Sequence, residues 1–371
     1  KYETLEPNLL LELYRTKLFL QVQSIFIKKM LIKFGKNIFN RKKNFNRTLL
    51  NLFSSWIFVQ YANTKIDVDL FPDNNLNYDS LITTMKDFAK DEDNFDEAKI
   101  DNLVDYLDLE NIMRKKKNNF LFYNKSTYYK NINKKYEIKK KLITCEKYNK
   151  VENYIKYDII LPFRIKEHKL RYMLNNIVIP VTTWEKLNTN FKSDKNIDEI
   201  IVCLLLRYKC LSSQNNQLAI PPAIMKKMKS DMDLSCECFA SCLNNYFPLY
   251  CSIFYDLEKY FGSIGSFFDI LPISGTFEFN PPYQINIIQK GVNNILKHLK
   301  IADKNNKKLT FILTLPIWDV YGKILMDISL PDILRYDDFN IIEKIKKSKY
   351  FLGLRMICKE KFSYKDYNNC C

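Results

Sequence analysis

Residues 276–283 read Thr-Phe-Glu-Phe-Asn-Pro-Pro-Tyr, and the reading of this stretch decides the rest of the chain. Thr276 to Phe279 is strand-like, and the Asn-Pro-Pro that follows must leave the strand at once, because proline lacks the N–H that a ladder needs. Outward from it, short apolar runs alternate with helical patterns. Leu234 to Phe239 and Leu309 to Leu315 read as strands. Ile201, Leu204, Leu205 and Tyr208 fall at helical spacing, and Leu243 to Phe254 and Ile287 to Leu299 also read as helices. Strands alternating with helices imply an α/β fold with a parallel sheet covered on both faces. Four of the seven glycines, Gly262, Gly265, Gly275 and Gly291, fall within thirty residues, which marks loops that turn sharply or approach a ligand.

The opening third has a different texture. Leu11, Tyr14, Leu18, Val22 and Ile25 line one helical face. Lys28 to Arg47 carries eight Lys or Arg and no acid, Asp91 to Glu110 carries nine acids against Lys99, and Arg114 to Lys150 carries thirteen basic residues against Glu137 and Glu146. The expected division is a basic, mostly helical domain over 1–154, with a mobile basic connector near 112–150, followed by an α/β domain over 155–371. The basic runs fit either solvated faces or contacts to an RNA backbone, with Phe120, Phe122, Tyr123, Tyr128 and Tyr129 available to stack on bases.

Across 371 residues, 58 Lys and Arg against 42 Asp and Glu leave a net charge of +16, which draws the chain toward polyanions. With 47% hydrophobic residues, seven glycines and twelve prolines, collagenous, linker-like and wholly disordered readings are excluded. The longest charge-free apolar stretch, Thr48 to Thr64, is interrupted by Asn51, Ser54, Ser55, Gln60 and Asn63, so no membrane span is expected. Ten scattered cysteines suit a reducing compartment. A start at Lys1 without a signal peptide suggests a piece of a longer intracellular protein.

Asn280-Pro281-Pro282-Tyr283 at a strand's carboxyl end suits methylation of a planar exocyclic amino group. Such a nitrogen is conjugated with its ring and is a poor nucleophile. If the Asn280 side-chain oxygen and the Pro281 carbonyl each accept one N–H, its lone pair is aimed at a donor methyl. The prolines stiffen the loop, and Tyr283 stacks on a base that has left any duplex. No general base is required in the transfer step. Taken alone, four residues also fit a plain turn or a partner-binding motif; their place after a strand, downstream of an acidic strand end, favours the chemistry.

That acidic end is Ser235-Cys236-Glu237-Cys238-Phe239-Ala240-Ser241, followed by Asn244. A carboxylate at the first strand-to-helix crossing can take a ligand ammonium or ribose hydroxyl, and small residues after it let backbone approach. Cys236, Cys238, Cys242 and Cys251 lack paired C-x-x-C spacing, and His168 and His298 are remote in sequence, so no metal is expected.

Taken together, CECFAS with LN after it, YFGSIGSFFD, SGTFEFNPPY and FILTLPIW resemble the core of the cap-specific adenosine N6-methyltransferases, the WW-domain phosphorylated-CTD-interacting factors. The likeness covers roughly Leu234 to Trp318, with echoes in LLLRYKCLS and ICKEKFSYK. It implies a Rossmann-like domain that uses S-adenosylmethionine, joined to a helical domain. The implied substrate is the adenosine next to the cap of messenger RNA, and the implied compartment is the nucleus. By matching position, Asn280, Pro281, Pro282 and Tyr283 are the transfer site, and Asn280 also meets the donor. Glu237, Ser241, Asn244, Gly262 and Asp269 are donor-pocket residues, and Pro316, Ile317 and Trp318 meet substrate beside Tyr283.

Cys242 stands where the family has Pro, Tyr283 where Phe is usual, and Ile285 where the family places an acid near substrate. The chain shows no WW domain of its own, so a polymerase-tail partner would need one outside it. Two other readings fit the residues: an adenine-N6 methyltransferase of DNA or internal RNA, and a non-catalytic RNA-binding module of the same fold.

Overall fold

The computed structural model describes residues 8–35, 45–63, 76–90, 98–125, 136–147, 150–211, 218–272, 274–282, 285–315, 341, 343–353 and 365–366. Six helices come first: α1 (Leu9–Phe34), α2 (Phe45–Asn63), α3 (Asp79–Lys90), α4 (Ala98–Asp101), α5 (Leu103–Leu107) and α6 (Leu109–Lys125). Asn8 caps α1, its side-chain oxygen accepting from Leu10 N–H at 2.9 Å and Leu11 N–H at 3.2 Å. The apolar Thr48–Thr64 stretch forms most of α2, which buries Phe53, Trp56 and Ile57 in the protein core. No helix among the described residues is long and apolar enough to cross a membrane.

A three-stranded antiparallel sheet follows: β1 (Glu137–Lys147), β2 (Lys150–Ile160) and β3 (Ile177–Pro180), with α7 (His168–Asn175) between the last two. The connector expected near 112–150 falls in this part of the chain. Its described residues are α6 and then β1, paired to β2 from Glu137–Ile160 to Lys147–Lys150. Lys139, Lys140 and Lys141 of β1 pair with Glu137, Asp198 and Asp158 at 3.4, 3.0 and 2.9 Å while the ladder satisfies the backbone, so a charge run here is compatible with a strand. The boundary expected at 154/155 falls inside β2, and one core runs from Leu9 in α1 through Leu204 to Phe254 and Ile287.

After β3 come α8 (Val181–Asn190), α9 (Ile197–Cys210), β4 (Leu218–Ala219) and α10 (Pro222–Met232). Then follow β5 (Leu234–Glu237), β6 (Leu249–Tyr250), α11 (Tyr255–Glu258), β7 (Gly275–Phe279), α12 (Ile285–Lys304) and β8 (Leu309–Leu313). A short β9 (Lys365–Asp366) pairs with β4. The second sheet has the order β6-β5-β7-β8, and every pairing in it is parallel. Leu234 packs with Met225 of α10 and with Ile312 on one side of the sheet. Phe277, Phe279, Phe311 and Leu313 pack with Ile295 of α12 on the other. The chain is thus mixed α/β, with a parallel sheet between helices, as the alternating pattern predicts. Gly291 lets α12 close on this sheet, since a Cβ there would run into the Phe279 ring.

One predicted helix is replaced. Leu243 to Phe254 forms a turn at 242–244 and then β6. The Glu237 carboxylate captures the N–H groups of Tyr246 (2.7 Å) and Phe247 (2.9 Å), and the Asn245 side chain donates to the Phe247 carbonyl at 2.7 Å. These side chains, with Pro248 next, take the backbone groups that a helix would have used.

Candidate active site

In the order β6-β5-β7-β8, the chain leaves β5 for β6 on one side and then returns to β7 on the other. The carboxyl ends of β5 and β7 therefore flank the point where strand order reverses, where open parallel sheets bind ligands. Beyond β5 the chain bends at Cys238 and Phe239 and stays bonded to its neighbours. Cys238 N–H donates to the Glu278 carbonyl at 2.8 Å, and Ala240 N–H donates to the Cys251 carbonyl at 2.9 Å. Phe239–Ser241 and Asn280–Pro282 thus leave neighbouring strands side by side.

An aromatic cluster fixes both segments from beneath. Phe239 meets Phe279 edge-on at 5.3 Å between centroids, Phe267 at 5.6 Å and Phe268 at 5.7 Å. Phe267 also contacts Phe279 at 5.6 Å and Phe311 at 6.2 Å. Each quoted motif sends at least one phenylalanine here, so motifs separated in sequence converge on one end of the sheet. Such pairs each contribute roughly 0.5–1.5 kcal/mol beyond burial.

On the β5 side, Glu237 is buried, and burial pushes its carboxyl up to about 7 while the Phe247 and Tyr246 N–H groups pull it down. It holds the 246–247 backbone, a task that sequence reading did not foresee. Ser241 and Asn244 are brought together. The Asn244 side-chain oxygen accepts Ser241 N–H at 2.7 Å and its hydroxyl at 3.1 Å, which closes the turn after the strand. Lys186 of α8 braces the turn by donating to the carbonyls of Leu243 (3.3 Å) and Asn245 (3.1 Å).

Glu258 was not foreseen. Fully buried in α11, it accepts Cys242 N–H at 2.6 Å and the Tyr208 hydroxyl at 2.6 Å, so it ties the Ser241–Asn244 turn to α9. Burial pushes it up to about 7 as well, against the pull of the Tyr208 hydroxyl and the Cys242 N–H. Cys242 contributes its N–H here, a donor that a proline at this position would lack. Two residues before Glu258, Asp256 accepts from Arg207 Nη1 with both carboxylate oxygens, at 2.6 and 2.8 Å. Arg207 also donates to Glu12 of α1 at 2.7 and 3.2 Å, and Arg15 donates to Glu12 at 3.0 Å. Burial opposes the Arg207 charge, yet Asp256 and Glu12 hold its pKa above the ordinary value. LLLRYKCLS, an echo in the sequence, contributes both Arg207 and Tyr208 to this support.

On the β7 side, Asn280 and Pro282 are half-buried and Pro281 is buried, at the strand end held by Thr314 N–H donating to the Phe279 carbonyl at 2.9 Å. Glu278 is a second unforeseen group. Registered against Glu237 and buried, it leaves its Oε1 without a hydrogen-bond partner, and burial, with Glu237 nearby, raises its pKa well above the usual range. The alternation of TFEF was its signal: a residue between Phe277 and Phe279 must face the other side of the sheet.

Gly262 lies beside Pro248 and β6, and Asp269 follows the Phe267–Phe268 pair of the aromatic cluster. Gly262 has φ +102°, and a Cβ would strike the Pro248 carbonyl ahead of β6, so tight backbone packing accounts for the glycine. Asp269 is exposed beside Lys290. Tyr283, Pro316, Ile317, Trp318 and the Ile285 side chain lie outside the described residues. Among the described residues no group of three or more His, Cys, Asp or Glu is placed to hold a metal ion, and burial pushes the Cys238 and Cys242 thiols up. Reactive thiolates are not favoured in such surroundings.

Residues 181–353 match the family described as "Phosphorylated CTD interacting factor 1 WW domain". In this chain those residues hold the parallel sheet and the crevice. Two curated relatives carry the name "mRNA (2'-O-methyladenosine-N(6)-)-methyltransferase": one from Mus musculus and one from Homo sapiens, each 31% identical over 174 residues, or 45% of this chain. The chain spans about a quarter of the length of those relatives, 24% in each case.

Proposed function

Because residues 181–353 match the phosphorylated CTD interacting factor 1 family, we propose that this chain N6-methylates the adenosine adjacent to the cap of messenger RNA. The observation that carries the reading is the placement of Asn280-Pro281-Pro282 beside the Phe239–Ser241 segment at the point of strand reversal. The relatives' printed name describes the same reaction class.

The sheet is read as Rossmann-like and the donor as S-adenosylmethionine. The donor fits a site whose first strand ends in small residues, Ala240 and Ser241, where backbone can come close. When bound, it supplies an electrophilic methyl and the driving force for transfer. Its pocket is formed by Phe239–Ser241 and Asn280. Glu258 and the Ser241–Asn244 pair set the shape of that pocket, and Glu237 holds the 246–247 backbone through its Oε1, which leaves its Oε2 to the donor.

Asn280 and the Pro281 carbonyl accept the two amino hydrogens, which turns the nitrogen lone pair toward the methyl. Tyr283 stacks on the base, worth about 1–3 kcal/mol, and Trp318 with Pro316 and Ile317 meets the cap side of the substrate. The proton leaves after transfer. The nucleus is the proposed compartment, and a polymerase-tail partner would act through a WW domain beyond this chain.

The test is incubation with labelled S-adenosylmethionine and three substrates that begin with adenosine: capped RNA, uncapped RNA and DNA. Label is expected at N6 of capped RNA. Label on DNA or uncapped RNA at equal rates would overturn the cap preference, and no labelling together with no donor binding would leave an RNA-binding module.

A further inference from the structure

α12 begins directly after the Asn280–Tyr283 loop, and one side of it is uniform. Lys290, Asn293, Lys297, Lys300 and Lys304 recur in steps of three and four, which places them in a single stripe along the helix. From Asn293 onward the stripe is exposed, while Ile288, Val292 and Ile295 bury the opposite face. At the carboxyl half of the helix, residues 343–350 pack beside the stripe. Together with Leu296 and Lys300, they line an open cavity of about 540 Å³ to which Lys344, Lys347, Lys349 and Tyr350 contribute. The Lys344 ammonium donates to the Asn293 side chain at 2.6 Å, which joins the two segments. Lys349 sits over the Tyr350 ring at 4.9 Å, and both reach Asp303, at 2.6 and 3.1 Å. Across 285–308 and 343–350 the acidic residues are Asp303 and Glu343, against ten lysines.

We propose that this stripe and cavity form the track along which the RNA strand leaves the active site, its phosphates on the lysines and one base against Tyr350. The inference rests on the function proposed above and names a substrate contact that the cap-adjacent site does not contain. Three observations favour a single strand of nucleic acid. The helix that carries the stripe starts beside the catalytic loop. The stripe runs about 21 Å from Lys290 to Lys304, at 1.5 Å per residue. Finally, it combines positive charge with an aromatic ring, the pairing that tracks an unpaired backbone.

The test uses the whole chain and fluorescence anisotropy without methyl donor, with a capped 20-nucleotide RNA and a capped dinucleotide as probes. The variant carries Lys297→Glu, Lys300→Glu and Lys347→Glu; its Arg counterpart is the control for shape and charge. The Glu variant is expected to lose about tenfold or more in affinity for the 20-mer relative to the dinucleotide. Its log–log salt dependence should be shallower by about 0.7 for each phosphate contact removed. The Arg variant should bind as the parent does. If the Glu variant melts early, a triple Gln variant is read by the same two criteria. Unchanged 20-mer affinity and salt slope would overturn the track. Because binding is read without turnover, a protein that methylates nothing but still shows the charge-dependent loss would sink the proposed function and leave the track standing.

Discussion

Asn280 and Glu258 make opposite demands on an experiment, because one is assigned to the reacting nitrogen and the other to the shape of the pocket. Asn280→Ala removes one oriented acceptor from the transition state. It should lower kcat by roughly 10²-fold, about 2.7 kcal/mol, with donor affinity nearly intact. Single-turnover transfer measured beside donor titration checks this, and a retained kcat would contradict the assignment. Glu258→Ala acts through the Cys242 N–H and the Tyr208 hydroxyl, both of which lose their acceptor. Loss of a hydrogen bond to a charged group costs about 1.5–3 kcal/mol. The expected outcome is donor affinity weakened by about tenfold or more and kcat at saturating donor changed little, with Glu258→Gln recovering part of the affinity. A pure kcat defect in Glu258→Ala would place this carboxylate in the chemistry instead.

At the scale of elements, the buried Glu12–Arg207–Asp256 chain joins α1, α9 and α11, and α11 carries Glu258 to the turn after β5. Removing one partner of a buried pair strands the other charge, at a cost of about 3–5 kcal/mol. Asp256→Ala is therefore expected to lower the urea midpoint substantially and to weaken donor binding in the same variant. An equivalent replacement of Asp231, whose pair with Lys227 is exposed, should shift the midpoint little. Equal effects from the two replacements would show that the Arg207 network does not hold the helical elements against the sheet.

The molecule as a whole should respond to pH through its buried carboxylates. Glu237 and Glu258 are each raised from 4.5 to about 7 by burial, and Glu278 is raised well above 4.5. Groups with raised folded-state pKa values bind more protons in the native state than in the unfolded one between roughly pH 4.5 and 7. Stability therefore falls as pH rises through that window. Each of the first two contributes on the order of 3 kcal/mol to the fall. Glu278→Gln keeps the shape of the side chain and removes its titration. Urea unfolding at pH 5 and pH 7.5 should show the variant losing less stability between the two than the parent does. An identical loss in both would mean that the Glu278 pKa is not raised by folding.

Apolar spacing alone was enough to read α1, α9, β5, β7, α12 and β8, because the 3.6- and 2-residue periods are imposed by backbone geometry within a few residues. The Asn280-Pro281-Pro282 loop at a strand end was legible for the same reason, since proline acts locally. What sequence could not carry was pairing across distance. The order β6-β5-β7-β8 depends on strands choosing partners tens of residues away, and that choice puts Phe239 against Phe279. Period identified Glu237 as the end of a strand, but only the fold turned its carboxylate toward the Tyr246 and Phe247 amides and so replaced a predicted helix with a turn. Glu258 and Asp256 carry no local signal at all. Their roles come from burial beside Cys242 and Arg207, where an ionised group is tolerable only with partners in reach, and those partners exist only once α1, α9 and the sheet have packed together.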